Sequence, residues 1–464
     1  MNIAVIGAGN RARKYLGCLP EGVHVRCLVE PDPLRLRQTA ARFGVAPDGC
    51  FSSPDDFFAS VISSVVERSV DAVIIAAPDR LHVPLALRCV ERGWPVLLEK
   101  PAAPTESAYR SLLAASERSG VPVALCLEMR FHPYFRRIKE LTAMLGRLRE
   151  IDHTEHIGPD RMAHTFVRGL WSRRADAGPI FLSKCCHDAD FLFWITGALS
   201  AGPVRSRGSR TKFRPSGAPD GATARCFDCP LASSCPYSAV TLYRERGEWT
   251  DGFDVPEGRT LADVIETELR TGRYGRCVYH CNNTVFDEQE VTTTLTVPSF
   301  IPSATSSFIP SATSSVIPSA TSSVIPSATS SVIPSATSSV IPSATSSVIP
   351  SAVEGSVSLR MRLEGMSLQE GRTTLLRGDA GILLADAGRI RVWYGDSLPL
   401  QPDGMPAGAP SLDEDYSALE HLPLHAGADE ALVRDFFEAL AAGRKPAADL
   451  ASSFAAHRLC FLAG

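Results

Sequence analysis

The stretch NIAVIGAGNRA, residues 2–12, decides the fold. Its apolar run at 3–6 reads as a strand buried on both faces, and the chain then turns through Gly7, Ala8 and Gly9 into a segment opened by Asn10 and Arg11. In such a turn the first glycine permits the tight bend and the second lets backbone approach a pyrophosphate. A small third residue, here Ala12, lets the helix pack closely on its strand. Working outward, strand-like runs at 24–30, 72–78 and 95–100 alternate with helical segments at 13–19, 35–43 and 83–92. Alternation of this kind means a doubly wound parallel sheet with helices on both faces. Glu30 ends the second strand, where a carboxylate accepts ribose hydroxyls and repels a 2′-phosphate. The expectation is a dinucleotide site that prefers NAD, with NADP as the lesser possibility.

From residue 121 the pattern changes. A helix is expected after Pro133, strands near 150–156, 277–281 and 373–394, and two helices at 428–442 and 446–461. This predicts a cofactor domain over 1–120 and an α+β domain over 121–464 built on an open, mostly antiparallel sheet. One face of that sheet is left for an active site or a subunit contact, so a homo-oligomer is expected. Within the second domain lies an octapeptide repeat, IPSATSSF once and IPSATSSV five times, from 301 to 348 with a partial copy to 352. A proline in each copy excludes a helix-turn unit, and the reading is a flexible insertion, with a short β-solenoid as the rival. Runs at 290–297 and 356–362 alternate with period two on either side, like the arms of one hairpin. Lengthening a five-residue turn to span 298–352 costs only about 2 kcal/mol of closure entropy.

The 464 residues are 44% hydrophobic and 21% charged, which excludes wholesale disorder. No uncharged apolar run approaches the length of a membrane span, and the first strand leaves no room for a secretory leader. A net charge of −4 without a basic block argues against nucleic acid as a partner, and the cytoplasm is the expected compartment. The 13 cysteines are then reduced thiols or metal ligands, and Cys18, Cys27, Cys89 and Cys126 read as small buried hydrophobes. Cys226, Cys229 and Cys235 stand apart: a C-x2-C-x5-C spacing with Pro230 and Pro236 suits knuckles around one structural zinc, with Cys277, His280 or Cys281 as fourth ligand. Unliganded thiols and an iron-sulfur cluster are the alternatives.

Lys100, at the end of the strand 95–100, stands where ligands collect in open parallel sheets. With GAGNRA, with Ala77-Pro78 and His82, and with Glu99-Lys100-Pro101, the chain resembles the Gfo/Idh/MocA oxidoreductase family. Further similar runs are AHTFVRGLW (163–171), FLSKCCHDADFLFWITG (181–197), YGRCVYHC (274–281) and RGDAGIL (377–383). The resemblance implies a Rossmann domain in which Gly7, Gly9, Asn10, Arg11, Ala12, Glu30, Ala77, Pro78, His82 and Glu99 serve the cofactor. It implies hydride transfer between nicotinamide and a hydroxyl-bearing carbon of a sugar, cyclitol or polyol, with Lys100 holding the oxygen and His187 exchanging its proton. Where many members carry an Asp four residues before that histidine, this chain has Ser183. Lys184 and Asp190 are the expected substitutes, since Asp190 at i+3 shares the helix face of His187. His164 and Arg168, taken as neighbours on one loop, are candidates for substrate contact. Two rival readings are a glycoside hydrolase using bound NAD for transient ring oxidation, and a non-catalytic sensor of dinucleotide or sugar.

Overall fold

A computed structural model describes residues 1–63, 70–298 and 355–464. The octapeptide repeat lies outside the described residues. Six short apolar strands, β1 (Asn2–Ile6), β2 (His24–Val29), β3 (Cys50–Phe51), β4 (Ala72–Ile75), β5 (Val96–Leu98) and β6 (Val123–Leu125), form a parallel sheet in the order β3-β2-β1-β4-β5-β6. The chain therefore winds outward from β1 to β3 and then crosses back to lay β4 beside β1. At that reversal the loops leaving β1 and β4 diverge to opposite faces and open a crevice at the strands' C-terminal ends. All four residues of β4 are buried, as a strand covered on both faces requires.

Two details differ from the sequence reading. The strand leading to Lys100 is fifth in the chain, because the two-residue β3 carries too little apolar sequence to register, and the sheet continues past residue 120 through β6. The C-terminal helices also return to this sheet. Leu432, Val433, Phe436 and Phe437 of helix Ala428–Ala441 pack against one face, and Ala448 and Leu450 join the core on the other.

The second sheet comprises β7 (Leu148–Ile157), β8 (Ser200–Ala201), β9 (Arg205–Ser209), β10 (Glu288–Val297), β11 (Gly355–Gly365), β12 (Gly371–Gly378), β13 (Gly381–Asp386), β14 (Arg389–Tyr394) and β15 (Leu412–Asp415). All pairings but β11 with β7 are antiparallel. The expected hairpin arms are present: β10 and β11 pair in unbroken register from Glu288 opposite Glu364 to Val297 opposite Gly355. Along β11 buried and exposed residues alternate, so Val357, Leu359 and Met361 face the core while Ser358 and Arg360 face outward. Helix Ile180–Thr196 covers the inner face, buried over nearly its whole circumference between this sheet and helix Leu450–Ala463. The strand expected at 277–281 is instead a short turn of 3₁₀ helix, Val278–His280. Among the described residues no helix is long and apolar enough to cross a membrane.

Candidate active site

Gly7 has φ +94°, and a Cβ there would lie 2.3 Å from the Ala76 carbonyl oxygen, so no other residue fits between β1 and the exit of β4. Gly9 caps helix Asn10–Leu16, and nothing lies within 4 Å of where its Cβ would stand. Together with the fully buried Ala12, these leave an open backbone cradle that fits the pyrophosphate of a dinucleotide. At the rim, the Glu30 carboxylate accepts hydrogen bonds from Ala8 N at 2.9 Å and Asp32 N at 3.0 Å. Ala77 and Pro78 leave β4 across the crevice.

Other residues expected at the cofactor are held by partners within the protein. Arg11 turns away, its Nε 3.0 Å from Glu99 Oε1 and its Nη2 2.8 Å from Asp429 Oδ1. Glu99 also accepts from the Tyr15 hydroxyl at 2.6 Å, and although burial pushes its carboxyl up, Arg11 and Lys100 hold it below the usual range. These two residues clamp the glycine turn to β5 and to the C-terminal helix. His82 is fully buried, its ring nitrogens 2.7 Å from the Pro101 carbonyl oxygen and 2.9 Å from that of Ala77, so it fixes the two strand exits. Asn10 donates to Asp251 at 2.7 Å. That bond belongs to a strap the sequence did not reveal, in which Asp254 pairs with Arg13 at 2.7 Å and Arg35 at 2.9 Å, and Gln38 donates to the Val255 carbonyl at 2.6 Å.

Lys100 Nζ donates to the Ser183 carbonyl at 2.9 Å, one helical turn before His187. Burial alone would lower its pKa, yet Cys186, Glu99, Glu128 and Asp79 around it hold the ammonium above the ordinary lysine value. His187 lies mid-helix, 7% exposed, with Nε2 3.5 Å from Glu128 Oε1 and a buried Nδ1 that has no partner among the described residues. Burial, then Lys100 and Arg372, push its pKa well below the usual value, so the imidazole is neutral at pH 7. A neutral base thus stands beside a charged donor. Glu128, in the turn after β6, was missed because nothing local distinguishes it.

The expected Lys184, His187 and Asp190 group does not form. Lys184 pairs with Glu155, which with Asp188 also binds Arg372 at 3.0 and 2.5 Å, and Asp188 reaches His153 Nε2 at 3.2 Å. Asp190 instead takes Arg130 in a fork, 2.6 Å to Nη2 and 2.7 Å to Nε. The Ser183 hydroxyl donates to the Ile180 carbonyl at 3.3 Å and gives His187 nothing.

His164 and Arg168 sit on a wide helical turn, Met162–Arg168, rather than an exposed loop. His164 stacks on Tyr274 at 4.7 Å and on Trp249 at 5.1 Å, and burial with Arg168 pushes its pKa down to about 4. Arg168, 3% exposed, donates to the carbonyls of Arg276 at 2.8 Å and Tyr237 at 2.7 Å. The zinc expectation is not met. Among the described residues no three His, Cys, Asp or Glu side chains converge as metal ligands, and Cys226 sits 3.6 Å from Arg168 Nη2 while Cys229 and Cys235 are half-buried.

Residues 1–126 match a family described as an oxidoreductase family with an NAD-binding Rossmann fold. The chain is 27% identical over 201 residues to a myo-inositol dehydrogenase of Streptomyces leeuwenhoekii, covering 42% of this chain and 56% of that protein. It is 29% identical over 224 residues to inositol 2-dehydrogenase 2 of Saccharopolyspora erythraea, covering 46% and 60%. The chain thus spans between half and two thirds of the length of these relatives. An Agrobacterium radiobacter oxidoreductase, solved in complex with NAD+, L-tartaric acid and magnesium, has a similar fold, with TM-score 0.57, 13% identity and coverage of 99% and 94%. So does an aldose-aldose oxidoreductase of Caulobacter crescentus complexed with glycerol, at TM-score 0.54 and 14% identity, with coverage of 99% and 94%.

Proposed function

Since the chain belongs to the Gfo/Idh/MocA oxidoreductase family, we propose that it transfers a hydride between NAD and a hydroxyl-bearing carbon of a sugar, cyclitol or related polyol. The observation that carries this reading is that Lys100, at the end of β5, donates to the Ser183 carbonyl one helical turn before His187, whose pKa its charge helps to lower. NAD, when bound, supplies the hydride acceptor. Gly7, Gly9, Ala12, Glu30, Ala77 and Pro78 would hold it. Lys100 donates to the substrate oxygen and favours the negative charge that develops there, and neutral His187 takes the hydroxyl proton. Asp190 and Lys184 keep the helix beneath His187 in place, and touch neither substrate nor cofactor.

In this reading residues 1–120 form the core of the cofactor domain and 121–464 supply the substrate site, with the outer face of the second sheet available to a second copy of the chain. The compartment is the cytoplasm, and nucleic acid is not a partner. The test is incubation of the full chain with NAD and a library of sugars and cyclitols, read by NADH absorbance. Net NADH from a polyol supports the dehydrogenase. Glycoside cleavage without net NADH would transfer the reading to a hydrolase, and NAD binding with no turnover on any compound would leave a sensor.

A further inference from the structure

Beside the candidate centre lies a cavity of about 380 Å³, a size suited to a single sugar ring. Its wall runs from Pro78, at the exit of β4, to the segment after the 162–168 turn. Asp79 joins the two, accepting a hydrogen bond from Trp171 Nε1 at 3.2 Å, and it is also among the charges that act on Lys100. The cavity wall therefore includes a carboxylate whose charge acts on Lys100.

Its charge is opposite to that of the chain. Arg80, Arg168, Arg173, Arg273 and Arg276 line it against two carboxylates, Asp79 and Asp176, in a protein of net charge −4. Asp176 lies 3.5 Å from Arg173. Burial raises the pKa of Asp79 and weakens its claim as a counter-ion. Among the described residues no carboxylate pairs with Arg80, Arg273 or Arg276. Arg168 is the telling case. It is 3% exposed, it is bound by two carbonyls and a thiol, and its Nη1 has no partner among the described residues. A buried guanidinium without an anion is unfavourable, and a group of exposed arginines around it marks a place where an anion is expected to arrive. The planar fork of arginine suits the oxygen pairs of a carboxylate or phosphate.

We propose that this cavity binds an oxyanion carried by the substrate, so that the chain acts on acidic sugars or cyclitols rather than neutral ones. The inference rests on the hydride-transfer reading for its reaction, though not for its binding site.

The full chain saturated with NAD is titrated calorimetrically with glucose, glucuronate, glucose 6-phosphate, myo-inositol, myo-inositol phosphate and inorganic phosphate, and each sugar is also assayed for NADH formation. At least one acidic compound is expected to bind tenfold or more tightly than its neutral parent, with affinity falling as salt rises. Carboxylate and phosphate arms identify which oxyanion is preferred. In the Arg273→Ala/Arg276→Ala variant, shown to be folded by its NAD affinity, that preference should fall at least tenfold, and Arg273→Lys/Arg276→Lys should restore part of it. Equal binding of acidic and neutral members, or a preference unchanged in the double alanine variant, overturns the proposal. Preferential binding of acids with no NADH from any compound would instead remove the dehydrogenase reading and leave the anion site standing.

Discussion

Asp190→Asn separates a structural carboxylate from a catalytic one. Asp190 is 1% exposed and Arg130 is 7% exposed, and their fork is supported by Arg130 Nη1 donating to the Ala447 carbonyl at 2.8 Å and Nη2 reaching Ser453 Oγ at 3.2 Å. One guanidinium thereby joins the turn after β6, helix Ile180–Thr196 and the start of the C-terminal helix. The asparagine is isosteric but neutral, so it keeps at most part of the hydrogen bonding and leaves the Arg130 charge uncompensated in a low-dielectric interior. Removing one partner of a buried pair costs about 3–5 kcal/mol, a large share of a typical total stability of about 5–15 kcal/mol. Denaturant and thermal midpoints should therefore fall sharply. The Arg130→Met/Asp190→Leu double variant should be less destabilised than Asp190→Asn, because it buries no orphan charge. Measured well below the midpoint, kcat/KM should change by less than about threefold. Unchanged midpoints with a hundredfold loss of kcat/KM would refute the structural role and return Asp190 to the service of His187.

Asp254 pairs with Arg13 and Arg35, and Arg35 lies 3.4 Å from Glu30, so Asp254→Asn should free positive charge near the residue expected to hold the ribose. NADP affinity relative to NAD should then rise about tenfold, or about 1.4 kcal/mol, and a ratio unchanged in fluorescence titrations would place the strap away from the ribose. Because Val297 pairs with Gly355 at the end of an unbroken ladder, replacing residues 299–354 with a short glycine turn should leave NAD affinity intact and the thermal midpoint equal or higher. Aggregation of that variant would mean that the segment carries structure. For catalysis, Lys100→Met and His187→Ala should each lower kcat/KM by about 10²- to 10⁴-fold with little change in NAD affinity. His187 has a folded pKa below its unfolded value of about 6.5, so the acidic limb of kcat/KM should lie below pH 6.5, and an acidic limb above 6.5 would exclude it as the base. By the same sign, the stability it contributes is present above pH 6.5 and is lost as pH falls towards its folded pKa.

Most of the first sheet was legible because its strands are short apolar runs punctuated by turn residues, a signal carried within each segment. The hairpin arms were legible for the same reason, their period-two alternation surviving on both sides of a long insertion. Elements without such a pattern were not. The two residues of β3 fall below any window of periodicity, and residues 277–281 are a short, mostly apolar run that supplies only a turn of helix. The return of helix Ala428–Ala441 to the first sheet could not be read either, because an apolar helical face does not specify the sheet on which it lands.

The site shows where that limit comes from. A run such as KCCHDADFLFWI states that a helix holds charges, but the partner of each is fixed by what surrounds the helix. At 100° per residue, Asp188 and Asp190 project about 200° apart, on opposite sides. The first meets Arg372 and His153 of the second sheet, and the other meets Arg130 beside the C-terminal helix. His187 lies about 60° from Asp190, close enough for the i+3 argument to look sound, yet a guanidinium from a turn sixty residues away forms the shorter and better aligned bonds. The carboxylate nearest to His187 is Glu128, from that same turn. Charge partners are a tertiary property, so the residue types of this centre could be read from the chain while their pairing could not.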